Sequence, residues 1–491
     1  MLAHLPILQV VIPLMAAPAC LLLRRRDLVW AFAVLASILT FAVSISLLLQ
    51  VLAEGVLSYE LGGWEAPWGI EYRIDLLNAP LLVLVSGIGA ITLLAARSSI
   101  ETEIPADRHS LFYIAWLLCL TGLLGILSTG DAFNVFVFLE ISSLSAYTLI
   151  ALGKDRRALW ASYQYLVAGT IGATFILIGI GLMYMMTGTL NMADLALRLP
   201  EVASTRTVFT AFAFIMVGVC LKLALFPLHL WLPNAYAYAP SVLTAFLAAT
   251  ATKVAVYVLI RFMYTIFGFD YSFSHLPLQN ILVFLGVSGI FAASVAAIYQ
   301  NNLKRMLAYS SVAQIGYLIL ALGMANETGL MASMLHMLNH GLMKGALFLA
   351  LAGIVLRLGI ANLDQMDGLA TRMPWTMAAF LIGGMSLIGV PLTVGFVSKW
   401  YLVSAALENG WWMVAALVLA GSLLSVIYIG RVLERAYFKP ASAIAPAASE
   451  APLAILLPTW ALVIANVYFG INTDITVGVT QLAAASLSGG Q

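Results

Sequence analysis

The chain has 491 residues, of which 63% are hydrophobic and 9% are charged, whereas a soluble domain carries about 25% charged residues. This composition, with a mean hydropathy of +1.01, excludes an ordinary water-soluble protein. A formal net charge of +1 gives no bulk attraction to nucleic acid, and three widely separated cysteines predict neither a disulfide scaffold nor a metal site.

About fourteen apolar runs follow one another along the chain, separated by glycine, proline and charged residues. A helix needs about 20 apolar residues to cross roughly 30 Å of hydrocarbon, and each run is near that length. The fold class is therefore predicted as all-α, a polytopic membrane protein of about 14 transmembrane helices. The predicted spans, numbered in chain order, are residues 5–23, 28–52, 75–96, 110–128, 131–151, 160–187, 206–231, 240–266, 279–299, 306–325, 329–356, 374–406, 411–435 and 451–470.

Lysine and arginine concentrate in alternate loops, beginning with Arg24, Arg25 and Arg26 after the first span. Cytoplasmic loops of membrane proteins retain the positive charges. The alternate loops that contain most of the basic residues are therefore predicted to be cytoplasmic. With fourteen spans, both termini are expected on the non-cytoplasmic side of the cell inner membrane.

Two of the predicted spans contain helix-breaking residues. The seventh contains Phe226–His229 (FPLH) and the twelfth contains Gly389–Gly395 (GVPLTVG). Proline removes a backbone hydrogen bond and clashes with the preceding turn, and irregular backbone at membrane depth lies where protein or a water-filled cavity surrounds it. Both spans are therefore predicted to be broken helices, close to the transport path.

The two predicted breaks are five spans apart, which indicates an internal repeat. Two units of five helices each have opposite orientations in the membrane, an arrangement typical of transporters. We predict an N-terminal group of three transmembrane helices, two inverted five-helix repeats, and a last transmembrane helix with a C-terminal tail. Their limits are residues 1–109, 110–266, 279–435 and 436–491.

One acidic side chain and four lysines fall in the middle of predicted spans: Glu140, Lys222, Lys253, Lys344 and Lys399. Each charge at the bilayer centre costs about 2.5 to 3.5 kcal/mol on insertion scales, so such residues usually mark function. Lysines near span ends also extend to the interface. Each residue also has a structural interpretation: Lys344 as a hydrogen-bond donor, and Glu140 as the counter-ion of a buried lysine.

Proton transfer is the chemistry that this set of residues favours. Burial disfavours the charged form of a side chain and a nearby opposite charge restores it, so a Glu140–Lys222 pair would load and release a proton. His336, His340 and Lys344 recur at i, i+4 and i+8, which places them on one face of the eleventh span. Imidazole relays protons through its two nitrogens.

Four stretches resemble the antiporter-like membrane subunits of respiratory complex I, membrane hydrogenases and Mrp-type cation/proton antiporters. These stretches are Phe138–Ser143 (FLEISS), Leu221–Pro233 (LKLALFPLHLWLP), Asn302–Gly316 (NLKRMLAYSSVAQIG) and His336–Lys344 (HMLNHGLMK). The resemblance implies a hydrated mid-membrane axis of proton transfer. Its residues would be Glu140, Lys222, Lys253 and Lys399, with His336, His340 and Lys344 linking the halves.

Within the family, the run Gly384–Tyr401 (GMSLIGVPLTVGFVSKWY) is most similar to the D-type subunits of Mrp antiporters. One complex I subunit has glutamate where this chain has Lys399, which argues against that subunit. The resemblance implies an ion transporter subunit, not an enzyme, without a cofactor. Its partners would be other membrane subunits of a hetero-oligomeric complex, protons, monovalent cations such as sodium, and the lipid bilayer.

Two other functions remain open from the sequence. The first is the proton-pumping membrane subunit of a redox complex, of the complex I or membrane hydrogenase type, which would use the same lysine axis. The second is a self-sufficient secondary transporter, which only the resemblance disfavours. The sequence contains no P-loop, HExxH, GxSxG or complete GxGxxG motif, so energy is expected from an ion gradient or from a partner subunit.

Overall fold

The computed structural model describes residues 2–23, 25–274, 277–359, 361–440 and 448–488; Arg24 of the basic triplet lies outside them. The α-helices of this part are α1 (Leu5–Ala19), α2 (Arg26–Glu54), α3 (Ala79–Glu103), α4 (His109–Ser128), α5 (Ala132–Ala151), α6 (Arg156–Thr187), α7 (Met192–Val202), α8 (Arg206–Leu223), α9 (Trp231–Tyr238), α10 (Ser241–Ile260), α11 (Phe269–Phe273), α12 (Leu278–Ile298), α13 (Leu303–Gly323), α14 (Glu327–Leu358), α15 (Pro374–Ile388), α16 (Val394–Glu408), α17 (Trp412–Phe438), α18 (Leu453–Ile471) and α19 (Asp474–Ser488).

The all-α membrane architecture is confirmed. In the described part of the chain, thirteen helical segments are long and apolar enough to cross a membrane. The predicted twelfth span brings the total to fourteen. It is not among the thirteen because it is divided into two shorter helices, α15 and α16. The third span begins at Ala79 and not at Asp75, because the Asp75 carboxylate accepts hydrogen bonds from the main-chain N–H groups of Leu77 and Asn78 in a turn before the helix.

Both predicted helix breaks are present. Helix α8 ends at Leu223, Ala224 adopts a left-handed conformation with φ of 60°, and helix resumes at Trp231. Helix α15 ends at Ile388, Gly389 has φ of 98°, and α16 begins at Val394. A left-handed residue ends an α-helix, and the proline that follows in each segment cannot continue it.

Several elements lie outside the predicted spans, among them a hairpin and the helices α7 and α19. A short antiparallel hairpin pairs β1 (Leu57–Glu60) with β2 (Glu71–Ile74), in the acidic loop between the second and third spans. Helix α7 buries Met192, Leu195 and Leu199 on one face, as an amphipathic helix does. Helix α19 follows the last span and packs against α14.

The same pair of backbone contacts occurs twice, 171 positions apart. Ala132 N–H donates to Leu190 C=O and Met192 N–H donates to Gly130 C=O, each at 2.8 Å. The second copy joins Leu303 N–H to Ala361 C=O and Leu363 N–H to Asn301 C=O, again at 2.8 Å. In each copy the contact joins the start of one span (α5 or α13) to the segment that follows the next span (α6 or α14).

Three helices form the centre of the molecule. Nearly every residue of α10, α13 and the middle of α14 is buried, which fits helices that are apolar on all sides. The polar exceptions on these helices are therefore enclosed by protein and do not face lipid. They include Lys253 on α10 and His336, His340 and Lys344 on α14.

Candidate proton-transfer site

The first part of the site joins α5 to the end of α8. Lys222 is the second-last residue of α8, and its ammonium lies 3.3 Å from Glu140 Oε1 and donates to Ser143 Oγ at 2.9 Å. The Lys222 side chain is 5% exposed, whereas that of Glu140 is 24% exposed. The structure thus brings together the two residues that the sequence predicts as a pair.

Close packing of α6 on α8 positions Lys222. A Cβ atom on Gly172 would lie 3.0 Å from the Gly218 carbonyl oxygen and 3.5 Å from Lys222 Cγ. Small residues let membrane helices approach in this way. Any larger side chain at Gly172 would therefore displace the helix that holds the lysine.

Lys253 lies in the centre of α10 and is fully buried. Its ammonium donates to the Ala248 carbonyl at 2.5 Å and lies 3.4 Å from Thr252 Oγ1. It is also close enough to interact electrostatically with His340 and Lys344. Neutral oxygens surround this lysine, and among the ion pairs of the described residues only Lys222, of the four mid-span lysines, has a carboxylate.

The predicted face of the eleventh span is confirmed on α14. The rings of His336 and His340 stack with centroids 5.8 Å apart, and His336 Nδ1 lies 2.8 Å from Ser398 Oγ. Both ring nitrogens of His340 are buried without a hydrogen-bond partner among the described residues. One helical turn further, Lys344 donates to the Leu307 carbonyl at 2.8 Å and to Ser310 Oγ.

Lys399 occupies the break in the twelfth span. Its ammonium donates to the carbonyl oxygens of Leu387 and Ile388, at 3.0 Å and 2.8 Å. It also lies 4.9 Å from the centre of the Tyr317 ring, a cation–π distance. The carbonyls belong to the last two residues of α15 and Lys399 belongs to α16, so these hydrogen bonds connect the two halves of the broken span.

Several polar partners were not predicted from the sequence. Serines in transmembrane helices commonly bond within their own helix, as Ser142 Oγ does to Leu139 C=O, so composition alone does not separate them from Ser143, Ser310 and Ser398. For Ser143 and Ser398, the available signal is a position three residues and one residue from Glu140 and Lys399, respectively. The role of Ser310 follows only from the fold.

Two buried ion pairs near span ends were also missed. Arg261 Nη1 lies 2.8 Å from Asp75 Oδ2, and Lys304 Nζ lies 3.7 Å from Glu103 Oε2. Lys304 falls between two predicted spans and Arg261 near the end of the eighth, but both are buried. Burial opposes ionisation of Asp75, yet the charge and hydrogen bonds of Arg261, with main-chain N–H donors, hold the pKa of this carboxyl below its ordinary value.

These contacts form three clusters of ionisable side chains. The first is Glu140 with Lys222, the second is Lys253 beside the α14 face that holds His340 and Lys344, and the third is His336 with Lys399. Carboxyl, amine and imidazole groups can each take up and release a proton, and neither ring nitrogen of His340 has a hydrogen-bond partner among the described residues. The described residues contain no group of three His, Cys, Asp or Glu side chains arranged to hold a metal ion.

A protein family described as "NADH:quinone oxidoreductase/Mrp antiporter, TM" matches residues 129–425. The N-type subunit of the NADH-quinone oxidoreductase of Desulforudis audaxviator is 43% identical, over 98% of this chain and 99% of its own. The D-type subunit of the Na(+)/H(+) antiporter of Alkalihalophilus pseudofirmus is 33% identical, over 89% of this chain and 87% of its own. A chain of the Mrp complex from Dietzia sp. superposes with a TM-score of 0.91 at 25% identity, covering 99% of this chain and 97% of its own.

Proposed function

This chain belongs to the family of membrane subunits shared by NADH:quinone oxidoreductases and Mrp antiporters, and from that membership we propose that it is the proton-translocating subunit of a multisubunit antiporter. The antiporter would exchange protons for sodium or another monovalent cation. Its partners are other membrane subunits of the same complex. In this proposal the chain transports ions and catalyses no chemical conversion of its own.

The observation that carries the proposal is the Glu140–Lys222 pair beside the break in the seventh span. The ammonium and the carboxylate oxygen are 3.3 Å apart, so the carboxylate favours the protonated lysine. When the pair separates, the buried lysine loses this support and releases its proton. When the pair re-forms, the lysine takes up a proton again.

The remaining residues continue the proton path through the centre of the molecule. We assign Lys253 to transfer between the Lys222 region and α14, and His336, His340 and Lys344 to transfer between the two halves. Lys399 is the terminal group at the second break. Helix α10, which contains Lys253, packs against α14, which supports this order.

The repeat architecture is part of the same proposal. We assign residues 110–266 and 279–435 to two inverted five-helix units, between the first three helices and the last helix with its tail. The backbone contacts that recur 171 positions apart and the two broken helices support the assignment. The uneven distribution of basic residues supports an inner-membrane orientation with both termini outside the cytoplasm.

A second candidate function is the proton-pumping membrane subunit of a redox complex. The 43% identity to the N-type subunit of an NADH-quinone oxidoreductase favours it. In that function the same lysine, histidine and glutamate residues would move protons, while electron transfer would take place in partner subunits.

Purification of the intact complex through a tag on this chain separates the two functions. Mass spectrometry that identifies several small membrane subunits supports the antiporter, and iron-sulfur subunits support the redox pump. The same complex is then tested in inverted vesicles that hold a pH gradient. Collapse of the gradient on addition of NaCl, but not of choline chloride, is the expected result, and no response to any alkali cation would contradict the antiporter function.

A further inference from the structure

Gln314 is a buried glutamine in the middle of α13 to which the proposed proton path gives no role. Its side chain is fully enclosed by protein, and neither its amide oxygen nor its amide nitrogen has a hydrogen-bond partner among the described residues. Burial of an amide without hydrogen bonds costs free energy. Such groups are normally satisfied by a neighbouring polar group or by an ordered water, so Gln314 requires a polar partner close by.

Two contacts between α13 and α14 lie on either side of Gln314. Before it in the chain, Lys344 donates to Ser310 Oγ. After it, the rings of Tyr317 and His336 lie with their centroids 6.2 Å apart. Residues three and four apart lie on one face of a helix. Gln314 is four positions after Ser310 and three before Tyr317, so it also lies on the face of α13 that packs against α14.

The residue of α14 opposite Gln314 is His340. The order of the two contacts shows that the helices are antiparallel, so four residues forward on α13 correspond to four residues back on α14. From the contact of Ser310 with Lys344, this step reaches Gln314 on one helix and His340 on the other. His340 is also fully buried, and both its ring nitrogens lack a partner among the described residues. Two unpartnered polar side chains therefore lie at the same level of adjacent helices.

The two side chains are chemically complementary. A neutral imidazole has one N–H donor and one nitrogen that accepts, and an amide both donates and accepts. A histidine that relays a proton takes it up at one nitrogen and releases it from the other, so the donor and acceptor nitrogens exchange. A carboxylate only accepts and an ammonium only donates. A glutamine is therefore suited to bond the ring before and after each transfer.

We propose that Gln314 is the positioning residue of His340, and that a water held between the amide and the imidazole orients the ring in both of its tautomers. The inference deepens the proposed function and rests on it for the part that concerns transport. Gln314 and His340 make no direct hydrogen bond, and polar groups more than about 3.5 Å apart are joined by bridging waters. Gln314 itself neither gains nor loses a proton.

The first test observes the histidine itself and needs no transport. The purified complex carries isotope-labelled histidine, and solid-state NMR records the ring-nitrogen signals; those of His340 are the signals lost in His340→Gln. Gln314→Met keeps the side-chain length but removes the donor and the acceptor, so the His340 signals are expected to shift. Gln9→Met, which should leave them in place, is the matched control, because Gln9 is also fully buried with an unpartnered amide oxygen among the described residues. Unchanged His340 signals in Gln314→Met would overturn the inference.

The second test connects this contact to transport. Loss of one hydrogen bond to the ring corresponds to about a fivefold change in rate, so Gln314→Met is expected to slow sodium-dependent exchange in inverted vesicles by about that factor. Gln314→Asn keeps both a donor and an acceptor and is expected to recover most of the rate, whereas Gln9→Met should match wild type. Equal rates for Gln314→Met and wild type, at equal amounts of assembled complex, would also overturn the inference. A wild-type complex without exchange would contradict the proposed function instead, and the NMR signals would still decide whether Gln314 positions His340.

Discussion

The ammonium of Lys222 lies 3.3 Å from the carboxylate of Glu140, yet only the lysine is fully enclosed by protein. The Glu140 side chain is 24% exposed and that of Lys222 is 5% exposed. The glutamate therefore faces a more accessible region than the lysine does. In the proposed path, a proton that arrives from that side would meet the carboxylate first, and the lysine would carry it inward.

Replacing Lys222 is expected to stop transport without loss of the complex. Lys222→Ala removes the buried amine next to the helix break, and loss of a positioned proton donor lowers rates by about a hundredfold or more. Sodium-dependent collapse of a pH gradient in inverted vesicles measures the effect, and co-purification of the partner subunits checks assembly. Wild-type exchange in this variant would remove Lys222 from the mechanism.

Glu140 is expected to act through its charge. Glu140→Gln keeps the size and hydrogen-bonding capacity of the side chain but removes the charge that stabilises protonated Lys222, so exchange should fall nearly as far as in Glu140→Ala. The same vesicle assay, with expression levels matched by immunoblot, compares the two variants. Full activity in both would show that the ion pair has no role.

Much of the fold follows from hydropathy and length. Apolar runs define the spans, and Pro227 and Pro391 mark the breaks. Both features could be predicted because each depends on residues that are close together in the sequence. The hairpin Leu57–Ile74 was not predicted, since its strands have four residues each within a loop rich in glycine and acidic residues. Helix α19 was interpreted as a tail, because its stability comes from contact with α14, which is distant in sequence.

The site shows the same division between local and distant causes. The stack of His336 on His340 follows from the helical period, since residues four apart lie on one face. The contact of Asp75 with Arg261 joins residues 186 positions apart, and no local pattern predicts it. Likewise, the carbonyls that hold Lys399 become available only where α15 ends, so the lysine was predicted and its partners were not.

Ser398 is expected to position the His336 ring. Its hydroxyl lies 2.8 Å from His336 Nδ1, and one hydrogen bond contributes about 1 kcal/mol, so Ser398→Ala should slow exchange about fivefold. Ser404→Ala is the matched control, because this serine lies on the same helix and donates to the Trp400 carbonyl. An equal effect of the two substitutions on the rate would show that His336 needs no partner at Ser398.

The Asp75–Arg261 pair is expected to make stability depend on pH in the acid range. Because its folded-state pKa is lowered, Asp75 stabilises the fold above its unfolded pKa of about 3.9, and this contribution disappears as pH falls through the folded value. Asp75→Asn, which breaks a buried pair, should destabilise the protein by about 3 kcal/mol near neutral pH. Thermal unfolding of the detergent-purified protein should show the gap between variant and wild type closing in acid; a gap that stays constant would contradict this role.

Gly389 is expected to be required for the position of Lys399, beyond its effect on the backbone. At φ of 98°, an alanine would be strained, and its Cβ would also lie 3.0 Å from Lys399 Cδ. Gly410→Ala provides the control, since Gly410 has φ of 72° but nothing within 4 Å of a Cβ atom. Both substitutions should lower stability by about 1 to 2 kcal/mol through backbone strain. Only Gly389→Ala should reduce exchange, by about tenfold or more, since a displacement of 1 Å in a reacting group has effects of up to about a hundredfold. Equal activity of the two variants, measured at equal amounts of assembled complex, would show that Lys399 tolerates displacement from the carbonyls of α15.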